Sequence, residues 1–263
     1  MNLCLVPPFR NQAAKASSCV LSSDTREKLK VAIHQPQYLP YPGFFHKLSL
    51  VDALVVMDDV QYDKRFTNRN KILAPQGPIW LTVPIVKSQK FHKNMDVEVN
   101  NSLPWGTEHW KKISYSYRNA GWFHEYGPYF ESLYKRDNGM LVDLDLDIMR
   151  KILDWLDIRI EVLLESDLKV EGEGTQRLVN ACVAVGADSY VSGIGGKNYV
   201  DEKSFAANHI SLEYQEYQPK AYRQRFVQDF VPNLSVIDML FNVGPKSRKL
   251  IAGDDGVVVS AAL

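Results

Sequence analysis

The sequence predicts an α/β fold with a mainly parallel central sheet, flanking helices and a helical middle insertion. Three observations carry that expectation. Short runs such as Val31-Ala32-Ile33 and Ala53-Leu54-Val55-Val56 are apolar throughout, as strands buried on both faces are, and they stop at polar clusters. The stretch between these two runs suits one short helix, which gives the strand–helix–strand order of a parallel crossover. Residues 105–156 then carry apolar and aromatic side chains at spacings of three and four, the period of a helix.

Taken in order, residues 1–29 are rich in small and polar side chains without a sustained apolar period, and are expected to be a flexible extension. The first strand ends at His34-Gln35-Pro36, where Pro36 and Pro40 prevent its continuation. Residues 43–51 suit a short helix with Phe44, Phe45 and Leu48 along one side, and residues 53–57 a second strand that ends in Asp58-Asp59. After the turn signal Pro75-Gln76-Gly77-Pro78, residues 79–86 read as a strand with residues 97–99 as a short partner, either extending the sheet or forming an antiparallel edge. The helical portion, about 105–156, begins with a stripe of His109, Trp110, Ile113 and Tyr117. The α/β order resumes with a strand at 159–164, a helix at 175–185 capped by Thr175 and stopped at Gly186, and a strand at 189–192. An extended segment at 210–217 and a helix at 235–241 follow, and residues 251–263 are expected to be a loose tail. The expected organisation is thus an extension at 1–29, one α/β domain at 30–250 and the tail.

With 263 residues, 45% of them hydrophobic, the chain is long and apolar enough for a substantial core. Thirty-one basic residues balance thirty-one acidic ones, so no global field favours nucleic acid or an anionic membrane. Cys4, Cys19 and Cys182 are odd in number and widely separated, which indicates neither a disulfide framework nor a zinc site. No apolar run approaches the ~20 residues that cross a bilayer. The composition therefore points to a cytoplasmic protein without membrane insertion and without a nucleic-acid partner.

In open α/β sheets ligands bind beyond the carboxyl ends of the strands. His34 and Asp59 both fall at such ends, so His34, Gln35, Gln37, Asp59, Gln61, Lys64 and Arg69 are expected to converge on one ligand. His34, Asp59 and Lys64 are the candidate catalytic residues, with His34 as the base, since an ordinary imidazole titrates near neutrality. Asp59 would orient it or bind a cation, the alternative being a turn or helix-cap role. Lys64, Arg65, Arg69 and Lys71, interleaved with Gln61, Tyr62, Asn68 and Asn70, suit a phosphate together with hydroxyl or amide groups; a solvated charged loop is the other reading.

The segment SGIGGKNYV offers Ser192, Gly193, Gly195, Gly196, Lys197 and Tyr199 after a strand, either as a second wall of an anion pocket or as a tight turn. It has neither Walker spacing nor the dinucleotide fingerprint. His109 is a candidate substrate contact or a member of the core stripe, and Cys182 sits in an apolar helix as a small hydrophobe. No His or Cys spacing of a metal site is present, and no metal or dinucleotide motif identifies a cofactor.

Five ordered blocks, HQPQYLPYPGFFHKL, DDVQYDKRFTNRNKI, WLTVPI, SGIGGKNYV and LSVIDMLFNVG, resemble the WbqC-like family over residues 30–244. Two departures are Tyr41, where a Trp is expected, and the extension before the first strand. The resemblance implies a bacterial protein found among genes for O-antigen and other surface polysaccharides. It draws attention to His34, Gln35, Gln37, Tyr38, Asp59, Gln61, Tyr62, Lys64, Asn68, Arg69, Asn70 and the SGIGGKNYV block, without assigning them a reaction. The expected function is an enzyme acting on a sugar-phosphate or nucleotide-sugar, with an acyl donor as a possible second substrate for acyl or aminoacyl transfer to an amino sugar. A nucleotidylyltransferase-like enzyme and a non-catalytic sugar-nucleotide binding or assembly subunit are the alternatives.

Overall fold

A computed structural model describes residues 28–86 and 92–253, and the backbone of residues 258–260. The expected extension at 1–29 lies almost wholly outside the described residues. A six-stranded sheet has the order β5-β2-β1-β6-β7-β8, built from β1 (Lys30–His34), β2 (Ala53–Val56), β5 (Glu161–Leu164), β6 (Ser189–Gly193), β7 (Ser211–Gln215) and β8 (Val258–Ser260). The first five run parallel, and β8 is antiparallel to β7. The expected α/β class with a parallel sheet is therefore correct.

The core has two parts, one on each face of the sheet, because alternate strand residues point opposite ways. Ala32, Leu54 and Val56 join Phe44, Phe45 and Leu48 of α1 (Pro42–Leu48) in the larger cluster. That cluster also takes in the helical middle portion, α2 (Trp105–Tyr117), α3 (Phe123–Lys135) and α4 (Leu141–Trp155), together with α8 (Val236–Val243). Val31, Ile33, Ala53 and Val55 face the other way, onto Val179 and Cys182 of α6 (Gly174–Val185) and Phe205 of α7 (Glu202–Ala207). Each Val, Leu, Ile or Phe among them, fully buried, stabilises the fold by about 1.5–3 kcal/mol.

Three local expectations change. Residues 79–86 do not join the sheet: β4 (Gly77–Thr82) pairs antiparallel with β3 (Arg69–Ala74) as a separate hairpin. The letters Arg-Asn-Lys hide β3 from a hydrophobicity reading, yet Asn70 is buried because its Nδ2 donates to Leu39 O at 2.7 Å. Thr175 does not cap α6, whose preceding residue is Glu173; Thr175 Oγ1 instead accepts from Asp201 N at 3.1 Å. Gly186 does end that helix, in the left-handed conformation at φ 68° that glycine adopts without strain. At the C-terminus, α9 (Ser247–Ala252) and β8 occupy part of the expected loose tail.

Candidate functional site

From β1 the chain crosses over α1 to β2 on one side, whereas β6 leads to β7 on the other, so β1 and β6 flank the switch point of the sheet. Their register pairs are Lys30 with Ser189 and Val31 with Tyr190, at the amino ends; β1 and β2 stay paired as far as His34 with Val56. The carboxyl ends of β1 and β6 thus part, and the β1–α1 loop and the Gly193–Gly196 turn border the opening.

His34 is the last residue of β1 and is half-buried on the α1 face, its ring edge-on to Phe44 at 5.2 Å between centroids. Its Nδ1 lies 2.8 Å from Gln35 O. A carbonyl can only accept, so Nδ1 carries the hydrogen and Nε2 the lone pair. Burial lowers the imidazole to about 3, with the charge of Lys47 adding to the effect and the Gln35 carbonyl opposing it. The ring is a neutral proton acceptor at physiological pH, and an anion bound against Lys47 would raise its basicity.

Lys47 is a residue the sequence reading passed over. It stands in the last turn of α1, a helix whose seven residues are all buried, and is 4% exposed. Burial alone pulls its ammonium down to about 7, with no carboxylate among the described residues opposing the effect. A cation buried without a partner destabilises the fold unless a ligand supplies the opposite charge. The N-terminal half of α1 is fixed beside it: Gln215 Nε2, from the end of β7, donates to Gly43 O and to His46 Nδ1, both at 2.7 Å. Gly43 is required here, since a Cβ would come within 2.4 Å of Tyr41 and 2.7 Å of Tyr217.

The β1–α1 loop is anchored from below. Leu39 is buried at φ 47°, a conformation costing a non-glycine residue about 1–3 kcal/mol and kept when the surroundings over-determine it. Tyr38 Oη lies 2.8 Å from His109 Nδ1 and 2.5 Å from Tyr134 Oη. The Thr82 backbone favours the protonated His109 ring and so opposes the effect of burial. Burial, with help from Lys112, lowers His109 to about 3 and keeps it neutral. Tyr38 and His109 therefore support the loop; both are at most 3% exposed.

Above this chain lies a small cavity lined by His34, Gln35, Pro36, Gln37, Phe44, Leu54, Val56, Asp145, Leu146 and Met149. Asp145 comes from α4, is 1% exposed, and neither carboxyl oxygen has a hydrogen-bond partner among the described residues. Gln37 Oε1 is likewise buried without a partner. Burial pushes the Asp145 carboxyl well above the usual carboxylate range. Asp145 was also missed in the sequence. Its signal is its position four residues after Leu141 and four before Met149, on the apolar side of α4.

The second expected cluster divides. Asp58 caps α5 (Glu165–Leu168), accepting from Ser166 N at 2.9 Å and Ser166 Oγ at 2.6 Å. Asp59 accepts from Lys93 Nζ at 2.5 Å and Arg177 at 3.4 Å, and Arg177 also bonds the fully buried Glu165 at 2.9 and 3.0 Å. Arg177 belongs to α6, on the face opposite α1, and the partner of His34 Nδ1 is its neighbour's carbonyl, so Asp59 does not orient His34. Lys64 and Gln61 are exposed. Arg69 stacks on Trp80 at 4.7 Å, and Asn68 Nδ2 donates to Val83 O at 2.8 Å. Tyr62 keeps a link to the cavity: its buried hydroxyl has no partner and feels both Asp145 and Arg69.

In the glycine-rich segment, Ser192 Oγ donates to Gly193 O at 3.2 Å, and a Cβ at Gly196 would sit 2.1 Å from that oxygen. Gly196 thus permits close packing on Ser192. A Cβ on Gly193 or Gly195 would meet nothing within 4 Å, so their backbone borders open space. Lys197 rests on the ring of Tyr214 at 5.1 Å, and Tyr199 is exposed. A wider groove of about 1090 Å³ lies between residues 119–121 and 221–230. None of its lining residues belongs to a strand, and the strand-end opening has the stronger chemical claim. Among the described residues, no group of three or more His, Cys, Asp or Glu is placed to hold a metal ion, and no helix is long and apolar enough to cross a membrane.

No solved structure matches this chain significantly. The chain is similar to "Uncharacterized protein Rv1507c" of Mycobacterium tuberculosis (strain ATCC 25618 / H37Rv), with 31% identity over 220 residues that cover 83% of this chain and 95% of the relative. Residues 35–250 match the WbqC-like protein family, from the residue after His34 to α9. The chain belongs to the WbqC-like protein family.

Proposed function

We propose that this protein is a cytoplasmic enzyme of bacterial surface-polysaccharide biosynthesis that acts on an activated sugar, transferring an acyl or aminoacyl group to it. The observation that carries the reading is the pairing, at the switch point, of a neutral histidine whose Nε2 lone pair has no protein donor with a buried lysine that has no anionic partner among the described residues. Lys47 supplies the charge for a phosphate of the sugar, and Gly193 and Gly195 allow backbone close to it. His34 Nε2 takes the proton from the attacking amine or hydroxyl as the new bond to the acyl carbon forms, and the proton then passes to the leaving group of the donor. Arg69, near Tyr62, is a second cation for the phosphate-bearing end. Lys64 and Asp59 take no part in this reading.

Incubation of the purified protein with nucleotide-linked amino sugars and a panel of acyl and aminoacyl donors, read by mass spectrometry, tests it. The expected result is a sugar product heavier by the acyl group, formed by wild type and lost in His34→Ala. Binding of nucleotide sugars without mass gain across the panel would overturn the transferase reading.

A further inference from the structure

The small cavity beside His34 makes a narrower demand on the ligand. It has about 10 Å³ of free volume for the centre of a water-sized body, the room of one small polar group. With Asp145 ionised, its polar walls are acceptors. Asp145 contributes two carboxyl oxygens and Gln37 contributes Oε1, all buried and without a partner among the described residues, and the His34 ring lines the same space. Three acceptor groups around one water-sized space call for a donor with several hydrogens, and a hydroxyl brings one where an ammonium brings three.

We propose that this cavity is the seat of a ligand amino group, donating to Asp145, Gln37 Oε1 and His34 Nε2, so that the sugar this site takes is an amino sugar. The inference rests on the activated-sugar reading and names the substrate class. Half-buried Gln35 and Gln37 place the seat next to solvent, and Lys47, which does not line the cavity, leaves the phosphate end outside it.

Proton balance gives the proposal a signature. The amine arrives from solution as R–NH3+, and the buried Asp145 carboxyl, held protonated by its surroundings, gives its proton to solvent to become the carboxylate that pairs with it. Tyr38 and Tyr62 in loops and Tyr134 from α3 face Asp145, and burial raises all three, so none ionises near neutrality. Lys47 acts on His34 by its charge, and Arg69 acts on Tyr62. Transfer of a proton from the seated ammonium to Nε2 then leaves the free amine as nucleophile.

Isothermal titration of the full chain at pH 7 with UDP-glucosamine and with UDP-glucose, each in two buffers of different ionisation enthalpy, tests the assignment. The amino sugar is expected to bind at least ~10-fold more tightly and to release about one proton, while UDP-glucose releases none. Asp145→Asn, which keeps the shape, should lose both the preference and the proton release. Equal affinity for the two sugars would overturn the amine seat while leaving the activated-sugar reading in place, and binding of neither would overturn both. Unchanged proton release in Asp145→Asn would remove Asp145 from the site. The wild-type comparison stands even if the variant fails to fold.

Discussion

The two faces of the sheet treat their polar side chains in opposite ways at the same edge. On the α6 face, Asp58, Asp59, Glu165 and Arg177 are satisfied by one another, by Ser166 and by Lys93. On the α1–α4 face, Lys47 and Asp145 are at least as deeply buried as Arg177; neither Asp145 oxygen has a hydrogen-bond partner, and burial alone shifts Lys47, with no carboxylate opposing it, among the described residues. A buried charge or unbonded polar group costs several kcal/mol, so leaving Lys47 and Asp145 without such partners, on a face where Tyr38, His109 and Asp238 are bonded, marks those two for a ligand. The paired network closes the ends of β2 and β5; the unpaired one surrounds His34.

That contrast can be broken in four places. The largest effect is expected at His34→Ala, which should keep its fold and lose roughly 100- to 10,000-fold in turnover, followed by the rate of product mass gain. Arg177→Ala strands the buried Glu165 carboxylate and should cost about 3–5 kcal/mol in urea denaturation. If instead it unfolds normally, the α6 network is not the structural one.

Lys47→Met should unfold at the same or a higher urea concentration than wild type while losing nucleotide-sugar affinity. The pH dependence sharpens it. The folded lysine titrates near 7, far below its ordinary 10.5, so between these values the unfolded chain binds more protons. Wild-type stability relative to Lys47→Met should therefore rise with pH from about 7 and level off near the ordinary lysine value, at up to about 1.4 kcal/mol per pH unit. A flat difference would mean that the lysine is paired after all. Lys197→Ala is the smallest expected change, at most about 1 kcal/mol in the same assay, because it removes an exposed cation from the Tyr214 ring.

The fold was legible where local pattern and burial agree. Ala53–Val56 is buried at every position, as its unbroken apolar run implies, and His34 falls at the strand end where Pro36 requires the chain to turn. The site was legible in part. A strand-end histidine can be read from sequence, but whether a charge beside it is paired depends on which helix covers which face. Asp59 follows a buried strand just as His34 does, yet Arg177, well over a hundred residues further on, claims it from the opposite side. Lys47 reads as an ordinary basic residue in the last turn of a helix, and its burial comes from packing that the seven residues of α1 do not encode alone. Asp145 is hidden among Asp143 and Asp147, two carboxylates that are not buried. β3 was masked by buried asparagines whose amide bonds replace apolar contacts.

The central claim is that the unpaired face binds the sugar and the paired face holds the fold. Thermal unfolding of wild type, Lys47→Met and Asp59→Asn, each with and without saturating UDP-glucosamine, tests it most directly. The account predicts that Asp59→Asn melts lower than wild type but keeps the ligand-induced rise in melting temperature, whereas Lys47→Met melts no lower and loses that rise. A full ligand-induced rise in Lys47→Met together with none in Asp59→Asn would contradict it.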